Sequence, residues 1–481
     1  MRIFPLTFPI RRSLTTLAVV AAVAGCATQP TSLSALSDPA TPSKWSHLTE
    51  LGDREYDTAA FWAAWEDPVL EGLVRRAIAS NTDVLTALAN LRSARAQVTS
   101  ATAALFPTFS GNGDGRTTRT SGNQTESWQA NLSGDWTLNL AGREYRLNSS
   151  AQWSAIASWL SLKDVETAVA AETAQAYVNL RAAQVNRRIV EASIRNYREN
   201  EQLTRWQVAA GLATASEAED AITQLRSAEA QLPEIERSIQ EYKNALARLT
   251  VLSPEELPVE LADNNAGLPV VPTDLAVKLP ADTLRQRPDV RSAEMRLRAA
   301  AENVDAAEAA YFPSLSLSGS VGTQAASIGM LGAAGTGIAS LVGALIMPLL
   351  NWGSLMAQEE SARAALDSAK ADYLSVVVAA LEETDNALTG IRSSEERERQ
   401  LTEAVAHAEV SNQLARLEYE SGIGDYLSLL SSERTLLSTR ETALSNDTNR
   451  INYYIMLYRA LGGGWQPETS AMMTDNEGKQ E

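Results

Sequence analysis

The sequence predicts a mainly α-helical chain with a smaller membrane β part, assembled from one unit that occurs twice. Three observations lead to this fold class. The chain matches itself at a nearly constant offset, each half contains a very long segment without proline, and each half contains a short extended stretch rich in Gly and Ser. The two long segments, about 150–210 and 354–420, would each form a helix of roughly 90 to 100 Å. Helices of that length are far beyond the usual range of globular domains.

The composition excludes several functional classes. The 481 residues carry 41 Lys and Arg against 59 Asp and Glu, for a net charge of −18, with one Cys and two His. An acidic surface disfavours nucleic acid, whose phosphates need clustered Lys and Arg. His47 and His407 alone leave little room for a histidine-rich metal site or for a nucleophile with a histidine base. The sequence therefore predicts no enzyme, no catalytic residue, no metal site and no cofactor other than the lipid described next.

The N-terminus has the features of a lipoprotein signal peptide. Three Arg residues precede an apolar stretch at 14–24, which is too short to span a bilayer as a helix. The stretch ends in Val23-Ala24-Gly25-Cys26, which resembles a bacterial lipobox. We therefore expect residues 1–25 to be removed and Cys26 to carry covalent diacylglycerol and an N-acyl lipid. Residue 27 is Ala rather than Asp, which by the sorting pattern of such lipoproteins indicates the outer membrane. The mature chain would carry a charge of 38 − 59 = −21, since three Arg are removed.

The body of the chain is a duplication. Leu105–Gly111 matches Tyr311–Leu317 at an offset of 206, and Gly211 matches Gly422 at an offset of 211, so about five residues are inserted in between. We interpret this match as a first repeat at 67–250 and a second repeat at 287–461.

Each repeat has the same predicted order of elements. A helix at 68–104, matched by 288–310, stops just before a Phe-Pro pair, because the residue before proline is pushed out of the helical region. An extended Gly- and Ser-rich stretch and the very long helix follow. Each long helix ends at a glycine, after which a return helix follows at 214–250 or 426–461.

The extended stretches indicate membrane strands. Over 128–140 the even positions are apolar or glycine and the odd positions are polar, as in a strand with lipid on one side and water on the other. An edge strand of a soluble sandwich shows the same pattern. In the second repeat, residues 309–358 have no charged side chain, so a window such as 331–350 could also be a transmembrane helix, but its glycines are unfavourable in a helix. We predict strands at about 106–115, 127–139, 313–323 and 337–347, with polar loops at 116–126 and 324–336.

The number of strands predicts oligomerisation. Four strands cannot close a membrane barrel, and open edges in lipid leave backbone groups unpaired at several kcal/mol each. Two copies give eight strands with a filled interior, and three give twelve with room for a lumen. The polar odd positions between 129 and 139 favour a wet interior and hence a trimer.

Six ordered motifs, counting the lipobox, resemble one family. The other five are Trp65–Leu70, Arg287–Glu294, Tyr311–Leu315, Gly422–Leu430 and Leu457–Trp465. Together they resemble the lipoprotein branch (TolC/OprM-like, NodT-type) of the outer-membrane factors of tripartite efflux systems. The resemblance implies a trimer whose twelve-stranded outer-membrane barrel, with four strands per chain, continues into a long periplasmic α-helical barrel. It also implies an equatorial region formed by parts of 26–66, the linker 251–286 and the tail 462–481.

The resemblance implies a duct rather than a reaction. Such a protein is the outer-membrane exit of an efflux pump, exporting small molecules such as drugs, and its partners are a periplasmic adaptor protein and an inner-membrane pump, here of the RND type. The helix turns at Gly211, Leu212, Gly422 and Ile423 match the tips that meet the adaptor, although a glycine there is equally explained as a helix C-cap.

The resemblance also implies a closed periplasmic aperture. The matching positions are Leu427, Ser431 and Arg434, which lie about one helical turn apart and hence on one helix face. Leu427 would form an apolar ring, and Arg434 would hold neighbouring chains together by polar links. Many relatives have Asp at the position of Ser431, so the ring is expected to be less cation-sensitive here, unless Asp425 or Glu433 takes over that role.

Three alternatives to a drug-efflux duct remain. A lipid-anchored coiled-coil scaffold without a pore would explain the helices and the lipobox but not the alternating strands. The exit duct of a secretion or metal-efflux system would explain all of these features. The remaining class, an enzyme of the cell envelope, lacks the residues for a nucleophile and its base.

Overall fold

A computed structural model describes residues 61–257, 261–262, 266–271 and 287–463 of the chain. The helices are α1 (Pro68–Ser80), α2 (Thr82–Ala103), α3 (Arg143–Ala209), α4 (Ala215–Glu229), α5 (Leu232–Thr250), α6 (Pro288–Ala309), α7 (Trp352–Glu420) and α8 (Tyr426–Ala460). The strands are β1 (Thr108–Thr120), β2 (Asn123–Asn139), β3 (Ser314–Ala325) and β4 (Gly337–Ile346). Within the described ranges, no helix combines the length and the apolar character needed to cross a membrane. Cys26, the signal peptide and the tail beyond 463 lie outside the described residues.

The described residues form two compact units. The strand unit contains all four strands and comprises residues 91–158 and 293–373. The helical unit comprises the described residues of 61–90, 159–292 and 374–463. The order of helix, two strands and a very long helix occurs in both halves of the chain, as the duplication predicts.

The helix predicted at 68–104 is two helices, because Asn81 interrupts it. Asn81 is in an extended conformation, its Oδ1 accepts a hydrogen bond from the Asp83 backbone N–H at 2.8 Å, and its Nδ2 donates to the Leu249 carbonyl at 3.1 Å. This local bonding competes with the helix, as is typical of asparagine. The equivalent position in the second repeat, 81 + 206 = 287, is Arg287, which likewise donates to a backbone carbonyl, that of Ala460, at 3.2 Å. Because 249 + 211 = 460, the same tie holds the same two elements in both repeats.

The return helix predicted at 214–250 is also two helices, α4 and α5. Pro233 lies in the first turn of α5 and cannot donate the backbone hydrogen bond that a continuous helix would need there. The matching segment of the second repeat has no proline and forms the single helix α8.

The four strands form one antiparallel sheet in the order β1-β2-β3-β4. The predicted loop at 116–126 is wrong, because β1 continues to Thr120, β2 begins at Asn123, and only Ser121 and Gly122 separate them. Both turn residues have positive φ, as a tight two-residue hairpin turn requires. The apolar alternation stops before this hairpin arm does, so alternation alone placed the strand ends too early. The loop predicted at 324–336 is confirmed to within two residues.

Along 128–139 of β2 and the paired parts of β1 and β3, the sheet has one apolar and one polar face, whereas β4 also carries Ile338, Val342 and Ile346 on the face of Ser340. Cross-strand pairs such as Trp136–Leu317 and Leu138–Leu315 make up the apolar face. Two aromatic rings on this face lie over glycines of the neighbouring strand, Phe109 over Gly134 and Trp128 over Gly115, where any Cβ would come within 2.8 Å and 2.5 Å of ring atoms. A row of serine residues crosses the polar face: Ser110, Ser133, Ser320 and Ser340. Its hydroxyls are hydrogen-bonded in pairs, at 2.9 Å between β1 and β2 and at 2.8 Å between β3 and β4.

Candidate functional site

The helix α8 is capped at its N-terminus by the carboxylate of Asp425. Its Oδ1 accepts a hydrogen bond from the Ser428 backbone N–H at 2.6 Å, and this bond lowers the pKa of Asp425. The equivalent residue of the first repeat, 425 − 211 = 214, is Thr214, which caps α4 in the same way by accepting from the Glu217 N–H. Asp425, which the sequence analysis offered as a substitute for an acid at position 431, therefore has a structural role as the cap that starts the helix.

The three predicted aperture residues lie together on one exposed face of α8. Leu427 is 71% exposed, and Ser431 and Arg434 are exposed on the following turns. The opposite face of the same helix buries Tyr426, Leu429 and Leu430 with Tyr419 and Ala221. Because that buried face fixes the rotation of the helix, the positions 427, 431 and 434 are free to face a partner or a lumen.

Arg434 has a partner within its own chain. Its Nε and Nη2 both donate to Oε1 of Gln224, at 2.8 Å and 2.5 Å. Gln224 lies on α4, so the guanidinium joins the second repeat to the first. Gln224 was not predicted, because nothing in the spacing of α4 residues marks a position that faces another repeat.

Glu433 points away from the exposed face. Only 7% of it is exposed, and its carboxylate accepts a hydrogen bond from Nδ2 of Asn200 on α3. Burial raises the pKa of Glu433 to about 7, although the Asn200 bond and the charge of Arg416 act in the opposite direction. Glu433 therefore does not share the exposed face of Leu427, Ser431 and Arg434. Its position between Leu430 and Leu437 follows the apolar stripe of the helix, which is the sequence signal that it is buried.

The two helix tips have the same backbone geometry. Gly211 and Gly422 have φ of +75° and +73°, which favours glycine. The following residues, Leu212 and Ile423, are 80% and 84% exposed. Their backbone N–H groups donate to the backbone carbonyls of Gln207 and Glu418, at 2.8 Å and 3.0 Å. These bonds close the helix ends and leave an apolar side chain projecting at each tip.

In the part of the chain that the structure describes, no three His, Cys, Asp or Glu side chains are grouped so that they could hold a metal ion.

The sheet and the long helices together define a class of protein. A sheet whose central strands have one apolar and one polar face, and whose edge strands have no further partner among the described residues, suits a channel wall between lipid and water. Comparison with known proteins leads to the family. A profile of the outer membrane efflux protein family matches residues 73–250 and 279–463. The chain belongs to this family; it is an outer-membrane efflux channel.

Similar proteins and structures cover most of the chain. The toluene efflux pump outer membrane protein TtgC of Pseudomonas putida is 29% identical over 433 residues, which are 86% of this chain and 87% of TtgC. The cation efflux system protein CusC of Escherichia coli is 28% identical over 85% of this chain and 89% of its own. Among solved structures, the outer-membrane channel OprN matches with a TM-score of 0.83 and 30% identity, over 89% of this chain and 99% of OprN. These likenesses confirm the predicted fold class of a mainly helical chain with a four-stranded membrane part, and its family of channels rather than enzymes.

Proposed function

We propose that three copies of this chain form the exit duct of a tripartite efflux pump, joined to a periplasmic adaptor protein and to an inner-membrane pump of the RND type. The duct passes small molecules outward and carries out no reaction. The observation that carries this proposal is the four-stranded sheet whose edges β1 and β4 have no further partner among the described strands, since such a sheet is stable in lipid only when further copies pair with its edges. Twelve strands enclose a lumen, whereas eight leave an interior filled by side chains. Polar residues such as Asn131 and Ser133 on the inner face suit a wet lumen.

The names of the relatives do not point to one class of transported molecule. Relatives are named for efflux of toluene and of cations, which are chemically unrelated. A wide polar duct accepts both, and we propose that the pump rather than this chain selects the molecule.

Conductance in planar bilayers tests the duct directly. We expect the purified protein to give ion-conducting steps, rare in the wild type and frequent in a variant with an opened aperture. A protein that inserts into the bilayer without conductance, in both forms, would contradict the duct and favour a lipid-anchored scaffold.

We propose that Leu427, Ser431 and Arg434 close the duct at rest. Support comes from their common exposed face and from the tie between Arg434 and Gln224, which holds α8 of the second repeat against α4 of the first. Opening moves the two helix pairs apart and so breaks this tie.

We expect Arg434→Ala to raise single-channel conductance and the sensitivity of cells to large antibiotics, because the guanidinium no longer joins α8 to α4. Gln224→Ala should have the same effect, since it removes the acceptor. The matched control is Arg440→Ala on the same helix, whose Nη2 bonds Glu409 within the second repeat at 2.6 Å. Equal conductance of the Arg434 variant and the wild type would remove Arg434 from the aperture.

We propose that the tips at Gly211–Leu212 and Gly422–Ile423 contact the adaptor, because each tip presents an exposed apolar side chain on a rigid turn. Covering these side chains at an interface is favourable, because it removes apolar surface from water.

We also propose that Cys26 carries the lipid anchor, on the strength of the lipobox at 23–26. Cells grown with labelled palmitate should incorporate the label into the wild type and not into Cys26→Ser, because the thiol is the attachment point. The Cys26→Ser precursor should also keep residues 1–25, which mass spectrometry can measure. Incorporation of label into the variant would place the lipid elsewhere.

A further inference from the structure

The two edge strands of the sheet carry unpaired backbone groups that need partners in a membrane. β1 pairs only with β2, and β4 only with β3, among the described strands. Since each strand is antiparallel to the next, β4 of one copy and β1 of a neighbouring copy also meet antiparallel. One copy alone does not fix the register in which they meet, and inferring that register rests on the proposed trimer.

On the apolar face, the side chains of the two edges complement each other. On its apolar face β1 has glycine at 111, 113 and 115. A Cβ at Gly111 would meet nothing within 4 Å, and one at Gly113 only the Gln129 carbonyl at 3.9 Å, whereas the space at Gly115 is filled by Trp128. On the same face β4 projects Leu341 and Leu345, of which Leu341 is 76% exposed. One edge thus has a hollow and the other has a ridge.

The tilt of membrane strands limits the stagger between copies. An odd stagger is excluded, because directly opposite residues lie on the same face of a sheet and the pairing of β4 with β3 already fixes the face on which each β4 residue lies. Four strands are about 19 Å wide at about 4.8 Å each, so a stagger of four residues, about 13 Å, tilts the strands by about 35°. No stagger gives no tilt, two residues give about 19°, and six give about 46°, whereas strands of membrane barrels tilt by about 35–45°.

The lengths of the edge strands fix the direction of the stagger. A level line across the sheet joins Ser110 to Ser340. If Ser340 lies opposite residue 114 of the next copy, all ten residues of β4 pair with residues 108–117 of β1. A stagger of four in the other direction places Ser340 opposite residue 106 and leaves only positions 337 and 338 paired within β1.

We propose that β4 of one copy pairs with β1 of the next with Ser340 opposite Asp114, so that Leu341 fills the open space at Gly113. Leu345 then lies beside Phe109 on the apolar face, where the two side chains cover each other's apolar surface. A stagger of six would instead direct Leu341 at Gly115, whose space the Trp128 ring already occupies. The row of serines consequently does not close into a ring at one level. It is displaced along the strands by the stagger of four residues from each copy to the next.

Disulfide cross-linking tests this register in the full-length protein. Residues directly opposite in an antiparallel pair have Cα atoms about 4.5 or 5.5 Å apart, which a disulfide can bridge, whereas residues one register step away exceed its reach of about 7 Å. We expect Ser340→Cys with Asp114→Cys to give a covalent trimer on a non-reducing gel after mild oxidation. The matched pairs Ser340→Cys with Arg116→Cys and Ser340→Cys with Ser110→Cys represent staggers of six and of zero, and the single variants control for links through Cys26.

The outcomes separate the register from the assembly. Native mass spectrometry in detergent reports the number of copies independently of the cross-link. A trimer that links through residue 116 or 110, or through none of the three pairs, overturns the proposed register and leaves the trimer intact. A protein that is not trimeric by native mass spectrometry overturns the assembly itself, and the register with it.

Discussion

Replacing Arg287 by methionine should destabilise the helical unit by about 2–3 kcal/mol, because it removes hydrogen bonds to charged groups and leaves a backbone carbonyl without its donor. Arg287 is almost completely buried, and its Nη2 donates to Asp289 at 2.7 Å and to Glu383 at 2.8 Å. Its Nη1 donates to the Ala460 carbonyl. Without the guanidinium, two carboxylates face each other in a partly buried site. A third, Asp164, has a pKa already raised by burial and by Asp289, and the charges of Arg459 and Arg287 oppose that rise.

The apparent melting temperature of the purified protein in detergent, followed by circular dichroism, measures this loss. Arg287→Lys should fall in between, because the ammonium keeps the charge but not the planar fork that binds two acceptors at once. Arg75→Ala is the surface control, since Arg75 is exposed and its ion pair among the described residues is with Glu71 on its own helix. If Arg287→Met melts within a degree or two of the wild type, the ion cluster does not hold the second repeat together.

The second large effect concerns Glu433 and pH. A carboxyl group whose pKa rises from 4.5 to about 7 on burial is neutral in the folded protein over a range where it is ionised in the unfolded chain. The folded state therefore loses stability as the pH rises from about 4.5 through 7, and above 7 the loss is complete. With about 1.4 kcal/mol per pKa unit, the total is about 3 kcal/mol. Glu433→Gln, which resembles the protonated form and can still accept from Asn200, should recover most of it.

Melting temperatures at pH 5.5 and pH 8 test this prediction. We expect Glu433→Gln to exceed the wild type at pH 8 and to approach it at pH 5.5, where the wild-type carboxyl is largely protonated. Glu403→Gln on the exposed part of α7 is the control, and it should leave the pH profile as it is. The idea fails if the difference between the Glu433 variant and the wild type is the same at both pH values.

Periodicity and self-similarity were sufficient to predict the fold from the sequence. They were not sufficient to predict where hydrogen bonding by individual groups breaks a helix or extends a strand. The strand pattern at 128–138 and the lack of proline in α3 and α7 are properties of the sequence itself, so strands and long helices were predicted close to their observed places. The break at Asn81 was missed because the local bond to Asp83 acts together with a bond to the carbonyl at position 249, which is far away in sequence. The hairpin arm up to Thr120 was missed because both of its faces are polar and its backbone ladder, not burial, makes it a strand.

In the candidate site, too, some features could be predicted from the sequence and others could not. A common face for Leu427, Ser431 and Arg434 follows from helical spacing alone. That Arg434 meets Gln224, and that Glu433 is buried against Asn200, depend on which helices pack together, which no single helix encodes. Asp425 is a helix cap in the structure, and its position just before an apolar helix was a sequence signal for that role.

The paired ties at Asn81 and Arg287 suggest how the two halves of the chain could diverge without losing their architecture. In both repeats the acceptor is a backbone carbonyl, which no substitution removes, so the only requirement on the donor is an N–H that reaches it. An amide and a guanidinium both meet that requirement, although a comparison of residue identities scores them as unrelated. Ancestral duplication in proteins of this kind is therefore better traced by which main-chain atoms are held than by which side chains hold them.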